Sequence, residues 1–309
     1  MKTIAIFMLG MMALLVLGIE GCPQTQTTAT VSTQGISMSF VDNAPPASVS
    51  VNQEFPIYVD ILNKGGSYIN PGAAMFYLSG IGYNLQNVAK SVKNTQLLSK
   101  ESAFPERLYF AKAAKWTTAL ENTFPLYLIL TSCYNYGTVA QVDVCVSNKN
   151  STNLCSISGE KLKSGANSAA PLQITSVSES LDGNKLQVAI LVENKGVSEI
   201  TASHVYLADA DCDKLLQAGD NLEELQKENK VKVTVKTGAE PGWACRLQSA
   251  SAPFSQINGL EGVITLEPVG KIICEKTVKN EETHVMPLTV SLLYRYVDSV
   301  TKTIRINPA

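Results

Sequence analysis

Phe55-Pro-Ile-Tyr-Val-Asp-Ile-Leu-Asn-Lys-Gly65 aligns without a gap on Leu186-Gln-Val-Ala-Ile-Leu-Val-Glu-Asn-Lys-Gly196. In the first copy Phe55, Ile57, Val59 and Ile61 share one parity, and in the second Leu186, Val188, Ile190 and Val192 do. Apolar residues at every second position predict a β-strand with one face on a core. Both runs end at Asn-Lys-Gly, and Asn and Gly readily take the positive φ angles that turn a chain. A second apolar strand follows each copy, Ala74-Met-Phe-Tyr-Leu78 and His204-Val-Tyr-Leu207.

The copies also close alike. Pro125-Leu126 opens a strand to Cys133-Tyr-Asn-Tyr136, then a turn about Val139 and Gln141-Val-Asp-Val-Cys-Val146. Pro287-Leu288 opens another to Leu293-Tyr-Arg-Tyr296, then a turn and Lys302-Thr-Ile-Arg-Ile306. Each copy is therefore expected to end in a hairpin. Lys230-Val-Lys-Val-Thr-Val-Lys236 alternates too, with lysines outward as on an edge strand that must not recruit partners. Only Asn84–Lys93 and Leu222–Glu228 read as short helices. Many short strands between turn residues predict an all-β chain of two tandem immunoglobulin-like antiparallel β-sandwiches, at 35–148 and 171–309. A Ser-, Asn-, Gly- and Lys-rich linker at 149–170 separates them.

The strand that runs into Val192-Glu-Asn-Lys-Gly196 and the following Val205-Tyr-Leu207 resemble CARDB-type immunoglobulin-like domains of prokaryotic surface proteins. The match is clearest over Leu186–Ala208 and recurs over Phe55–Gly80. Together with Cys133-Tyr-Asn-Tyr-Gly-Thr138 and Val144-Cys-Val146, the arrangement resembles uncharacterised archaeal cell-surface lipoproteins. The resemblance implies spacers, adhesive units or assembly modules, with no catalytic residues. The Cys…Trp…Cys core pattern of antibody domains does not occur around Trp116 or Trp243.

The N-terminus places such modules outside the cell. Lys2 precedes an apolar run from Ile4 to Ile19 and then Gly21-Cys22-Pro23, the parts of a secretory signal over residues 1–22. Ile19-Glu-Gly-Cys22 resembles a lipobox, with Glu20 where a small or apolar residue is usual, so Cys22 is the expected lipid attachment site. The alternative is an uncleaved anchor, although a comfortable span needs about 20 residues. A Thr- and Gln-rich stretch at 23–34 then lifts the body off the membrane as a spacer or a sugar-bearing stalk. The expected location is the cell surface, at the outer face of the cytoplasmic membrane.

Net charge is −2 over 309 residues, and it stays −2 when Lys2 and Glu20 leave together with the leader. That charge offers no footprint for nucleic acid. Besides Cys22 there are Cys133, Cys145, Cys155, Cys212, Cys245 and Cys274, an even set that reads as disulfides in an exported chain. Across a hairpin Cys133 would face Cys145; alternatively Cys145 joins Cys155 around a small loop. Three cysteines per half leave one over in each, and those two are free to join the halves. Asn150-Ser-Thr152 is a glycosylation sequon, with Asn150 the acceptor.

With no CxxC pair and only His204 and His284, no metal site is expected. Asp209-Ala-Asp-Cys-Asp213 resembles the start of a calcium loop, but Lys214 and Asp220 stand where Gly and Glu belong. No catalytic motif occurs, and no cofactor is expected. Two readings remain: an adhesive, structural or assembly module that meets an envelope protein, or a glycan- or ligand-binding receptor. For the second, Tyr83, Trp116 and Trp243 are the aromatic candidates for a sugar platform.

Overall fold

The computed structural model describes residues 32–150, 152–196, 203–216, 221–238, 240–248, 255–256, 260–279 and 283–309. Residues 1–31, with the expected leader and Cys22, lie outside the described residues, as does Ser151 of the sequon. The first half holds β1 (Ile36–Phe40), β2 (Ser48–Ser50), β3 (Glu54–Asn63), β4 (Ala74–Ser79), β5 (Leu85–Gln86), β6 (Ser91–Lys93), β7 (Glu106–Trp116) and β8 (Phe124–Ser147). The second holds β9 (Leu172–Asp182), β10 (Lys185–Asn194), β11 (His204–Leu207), α1 (Cys212–Leu216), α2 (Leu222–Leu225) and β12 (Lys230–Lys236). It ends in β13 (Trp243–Gln248), β14 (Ser255–Gln256), β15 (Glu261–Thr265), β16 (Val269–Thr277) and β17 (Thr283–Asn307).

The described chain is all-β, with antiparallel sheets consistent with a β-sandwich. Two small sheets, β1-β3-β7-β5 and β14-β13-β16-β10-β9, bring their buried faces into one core with a larger eight-stranded sheet. Both repeated segments land as expected: β3 buries Phe55, Ile57, Val59 and Ile61, and β10 buries Leu186, Val188, Ile190 and Val192. The large sheet runs β15-β12-β17-β8-β4-β6, with β11 and β2 also on β17, so strands of both halves share it. The described residues belong to one compact unit, Val31–Ala309.

The two expected hairpins are replaced by two very long strands. β8 spans 24 residues and β17 spans 25, against a usual strand of about 5–6. They pair antiparallel at every position from Phe124↔Ile306 to Ser147↔Thr283, a ladder of about 80 Å at roughly 3.4 Å per residue. Every even-numbered residue of β8 from Leu126 to Val146 is buried, so the alternation never breaks at Val139. Gly137 sits in the extended strand, where Ser67 Oγ donates to its carbonyl. β17, more than a hundred residues away in sequence, supplies the partner that a hairpin would have supplied locally.

Three further expectations change. Asn84–Lys93 forms no helix: Leu85 pairs with Trp116 of β7, and Val92 with Phe76 of β4. β12 is not an edge, because β15 and β17 pair on either side of it. The described residues of 149–170 lack strands yet are pinned, with Ile157, Ala169 and Ala170 buried and Ser168 N donating to the Val139 carbonyl.

Candidate functional site

The centre of the long ladder is Asn135↔Arg295, flanked by Tyr134↔Tyr296 and Tyr136↔Tyr294. Period two sends all four tyrosines to the inner face, where their rings lie 5.7 to 6.4 Å apart, edge-on or tilted. Their hydroxyls hold the first strand of each small sheet and the ends of the repeated segments. Tyr134 Oη accepts from Ile36 N at 2.9 Å, and Tyr294 Oη from Leu172 N at 3.3 Å, so the first tyrosine of each pair anchors the first strand of a small sheet. Tyr136 Oη donates to Asn63 Oδ1 at 3.0 Å, and Tyr296 bonds the Ser203 side chain beside Gly196.

The repeated Asn-Lys-Gly thereby gains a different explanation. Each Asn accepts from the Gly amide two residues on, Gly65 to Asn63 Oδ1 at 3.1 Å and Gly196 to Asn194 Oδ1 at 3.0 Å. Neither glycine has a positive φ. They are glycines because a Cβ would stand 1.8 Å from Tyr136 Oη at position 65 and 1.9 Å from Tyr296 Oη at position 196. Burial pushes the Tyr136 phenol up to about 12, and Tyr134, Tyr294 and Tyr296 are raised by burial in the same direction. This inner junction is architectural.

The opposite face of the ladder centre carries a cleft. Here Cys133, Met75 and Val297 form a small second core with Tyr206, Ala210 and Cys212. A disulfide from Cys133 to Cys212 clamps α1 and the preceding loop onto it. Beside it lies a cleft of about 330 Å³ lined by Lys93, Asp209, Asp211, Asp213, Cys212 and Arg295 among others. Arg295 Nη1 donates to Cys212 Sγ at 2.8 Å and Nη2 to the Ala208 carbonyl at 3.1 Å. Burial lowers the Arg295 pKa, while Asp211, Asp209 and Glu224 pull it upward. Two of the three acidic side chains are already engaged: Asp213 N donates to Asp211 Oδ1, and Asp209 lies 3.9 Å from Lys227 Nζ. Among the described residues no group of three or more His, Cys, Asp or Glu side chains is gathered for a metal ion.

The other two disulfides are Cys145–Cys155 and Cys245–Cys274, the latter between directly opposed residues of β16 and β13. Asn150 is exposed on the Cys145–Cys155 loop, and Thr152 Oγ1 is bound to the Cys155 carbonyl. His204 meets Glu228 at 2.7 Å, and His284 meets Glu240 at 3.2 Å, a carboxylate that Lys276 also contacts. The three candidate aromatics do not gather: Trp116 is buried with Nε1 donating to Thr118 O, Trp243 is half-buried on β13, and Tyr83 is fully exposed.

Flanking the cleft, the outer face of the large sheet presents an uncharged patch that the sequence reading missed. Its rows run Tyr77–Thr131–Ser299, then Ser79–Ile129–Thr301, then Tyr127–Thr303. Thr131 Oγ1 and Ser299 Oγ are 2.9 Å apart, and Tyr127 is 56% exposed. The hydroxyl residues at odd positions of β8 and β17 were the available signal. No protein-family model and no curated protein matches the chain.

Proposed function

We propose that the protein is a non-enzymatic, membrane-tethered surface module that acts in adhesion or envelope assembly. The carrying observation is where the chain enters the fold. Ser32, its first described residue, accepts from Ala170 N at 3.0 Å, and Ile36 docks on Tyr134 on the inner side of the long sheet. This entry packs on the inner side of the sheet, so the outer face is the surface we assign to partner contacts. Three disulfides, which mark an oxidising extracellular or periplasmic setting, support an exported location. No helix among the described residues is long and apolar enough to cross a membrane, and we assign attachment to lipidated Cys22.

Each half is read as a CARDB-type immunoglobulin-like module, the two fused through one ladder. The repeated docking of Asn-Lys-Gly on Tyr-x-Tyr supports that reading. Crosslinking on intact cells should repeatedly capture one envelope protein, and Cys22→Ser should release the body or leave a heavier precursor. Unchanged mass and membrane retention in that variant would defeat the lipid tether, and absence of any recurrent partner would defeat the assembly role.

The uncharged patch of Tyr77, Thr131, Ser299, Thr301 and Tyr127 favours a second reading, a receptor for neutral glycans. Hydroxyl rows match polyhydroxylated ligands, and an exposed tyrosine offers a face for sugar C–H groups. A glycan array should then give saturable binding that weakens roughly tenfold in Tyr127→Ala. Binding that ignores this substitution removes the patch from consideration.

A further inference from the structure

We infer that Lys161 and Glu179 form a self-modification site, at which the lysine amine condenses with the glutamate carboxyl to give an intramolecular amide. Glu179 stands on β9 on the core-facing side with Val177, and its side chain is fully enclosed. Lys161, from the segment that joins the two halves, has a side chain only 12% exposed and brings Nζ to 3.2 Å from Glu179 Oε2. Such charged groups are seldom buried, and an ion pair there regains only part of the hydration each charge gives up. An amide carries no charge, so condensation removes that cost.

The neighbours arrange the pair for this reaction. Cys145 N donates to Glu179 Oε1 at 2.7 Å, so a backbone N–H is aimed at the oxygen on which negative charge develops. Lys161 Nζ donates to the Ser156 carbonyl, which orients the amine. Oε2 accepts no hydrogen bond among the described residues and is the oxygen that leaves. Burial raises the Glu179 pKa over the opposing pull of the Cys145 amide and Lys161, which favours the protonated carboxyl that an amine can attack. Glu224 shows the contrast, being also enclosed and accepting from a backbone amide, that of Asp211. Burial pushes its pKa up too, but the Asp211 amide, Lys227 and Lys214 prevail and lower it, so that carboxylate stays charged.

The atoms balance without a co-reactant. The Lys161 ammonium passes one proton to Oε2, leaving a neutral amine and a carboxylic acid. Nζ then attacks Cδ with its lone pair, and Oε1 takes the negative charge under the Cys145 N–H. A second Nζ proton moves to the Oε2 hydroxyl, which departs as water while Oε1 returns its electron pair to Cδ. One C–N bond forms, one C–O bond breaks, and nothing is oxidised or reduced. Oriented neighbours react as though at about 10⁵ M or more, and an enclosed site keeps water from reversing the step. The product fastens the connection between the halves to β9 beside the Cys145–Cys155 disulfide, a reinforcement independent of any partner that the surface meets.

The test reduces, alkylates and trypsinises the purified full chain and reads its peptides by fragmentation mass spectrometry. Trypsin should fail to cut after Lys161, and Asn150–Lys163 should appear joined to Ser164–Lys185, lighter by one water than the two linear peptides together. Lys161→Arg keeps the charge pair without the amine, and Glu179→Ala removes the carboxyl, so each should return linear peptides alone. In the original chain, cleavage after Lys161 with linear Ser164–Lys185 as the main product overturns the inference, whatever the variants do. A branched peptide whose bond maps to a residue other than Glu179 overturns the pairing.

Discussion

Replacing Gly65 by alanine is expected to destabilise the chain by about 3 kcal/mol, from overpacking together with a strained buried hydrogen bond. The added Cβ would stand 1.8 Å from Tyr136 Oη, 2.7 Å from its Cζ and 2.9 Å from the Ala169 carbonyl oxygen. Tyr136 has little room to retreat, because its ring is buried and lies 5.7 Å from Tyr134 and 6.4 Å from Tyr294. On the other side is backbone, which yields only by moving the segment that packs Ala169 and Ala170 into the core. The cost is one of space, since Gly65 does not use a left-handed conformation. Urea unfolding followed by circular dichroism measures it. Adding Tyr136→Phe removes the clashing oxygen, so the double variant should recover at least about 1 kcal/mol relative to additivity. Gly196→Ala, with its Cβ 1.9 Å from Tyr296 Oη, should repeat the result at the mirrored position. A Gly65→Ala protein as stable as the original would show that the tyrosine junction yields freely.

Raising the pH beyond about 10, where unfolded tyrosine ionises, is expected to unfold the protein cooperatively. Burial raises the phenols of Tyr134, Tyr136, Tyr294 and Tyr296, Tyr136 to about 12. The sign follows from the proton count. Below the unfolded value both states hold the phenolic protons and stability is complete. Above it the unfolded chain releases them while the fold retains them, so stability falls as pH climbs toward the folded values. Each such group contributes about 1.4 kcal/mol per pH unit, and four together roughly 5. Tyrosinate absorbance that rises below the transition should leave the β-sheet signal unchanged. A second, steep wave of tyrosinate absorbance should then coincide with unfolding between about pH 10 and 12. Tyr294→Phe, carrying one buried phenol fewer, should make that wave shallower. Ionisation of every tyrosine near pH 10 with the sheet intact would refute the assignment.

Much of the strand content was legible from residues alone. The alternation of Phe55–Ile61 and Leu186–Val192 became β3 and β10, and His204–Leu207 and Lys230–Lys236 became β11 and β12 over those same spans. The even set of six cysteines besides Cys22 was legible as well, and all six are paired. The site was far less so. Arg295 reads as the polar residue between Tyr294 and Tyr296, and nothing near it announces a sulfur from residue 212. Tyr77, Thr131 and Ser299 become one row only after three distant strands align.

The amino-acid sequence by itself determined which residues face a core, because that depends on neighbours two positions away and survives any arrangement of strands. Only the tertiary structure decided that β8 and β17 run unbroken, that Cys133 reaches Cys212, and that Gly65 and Gly196 make room for tyrosine hydroxyls. Those outcomes turn on which segments meet across more than a hundred residues. Pairing energy between strands is nearly independent of how far apart they lie along the chain, so local pattern carries no record of the partner.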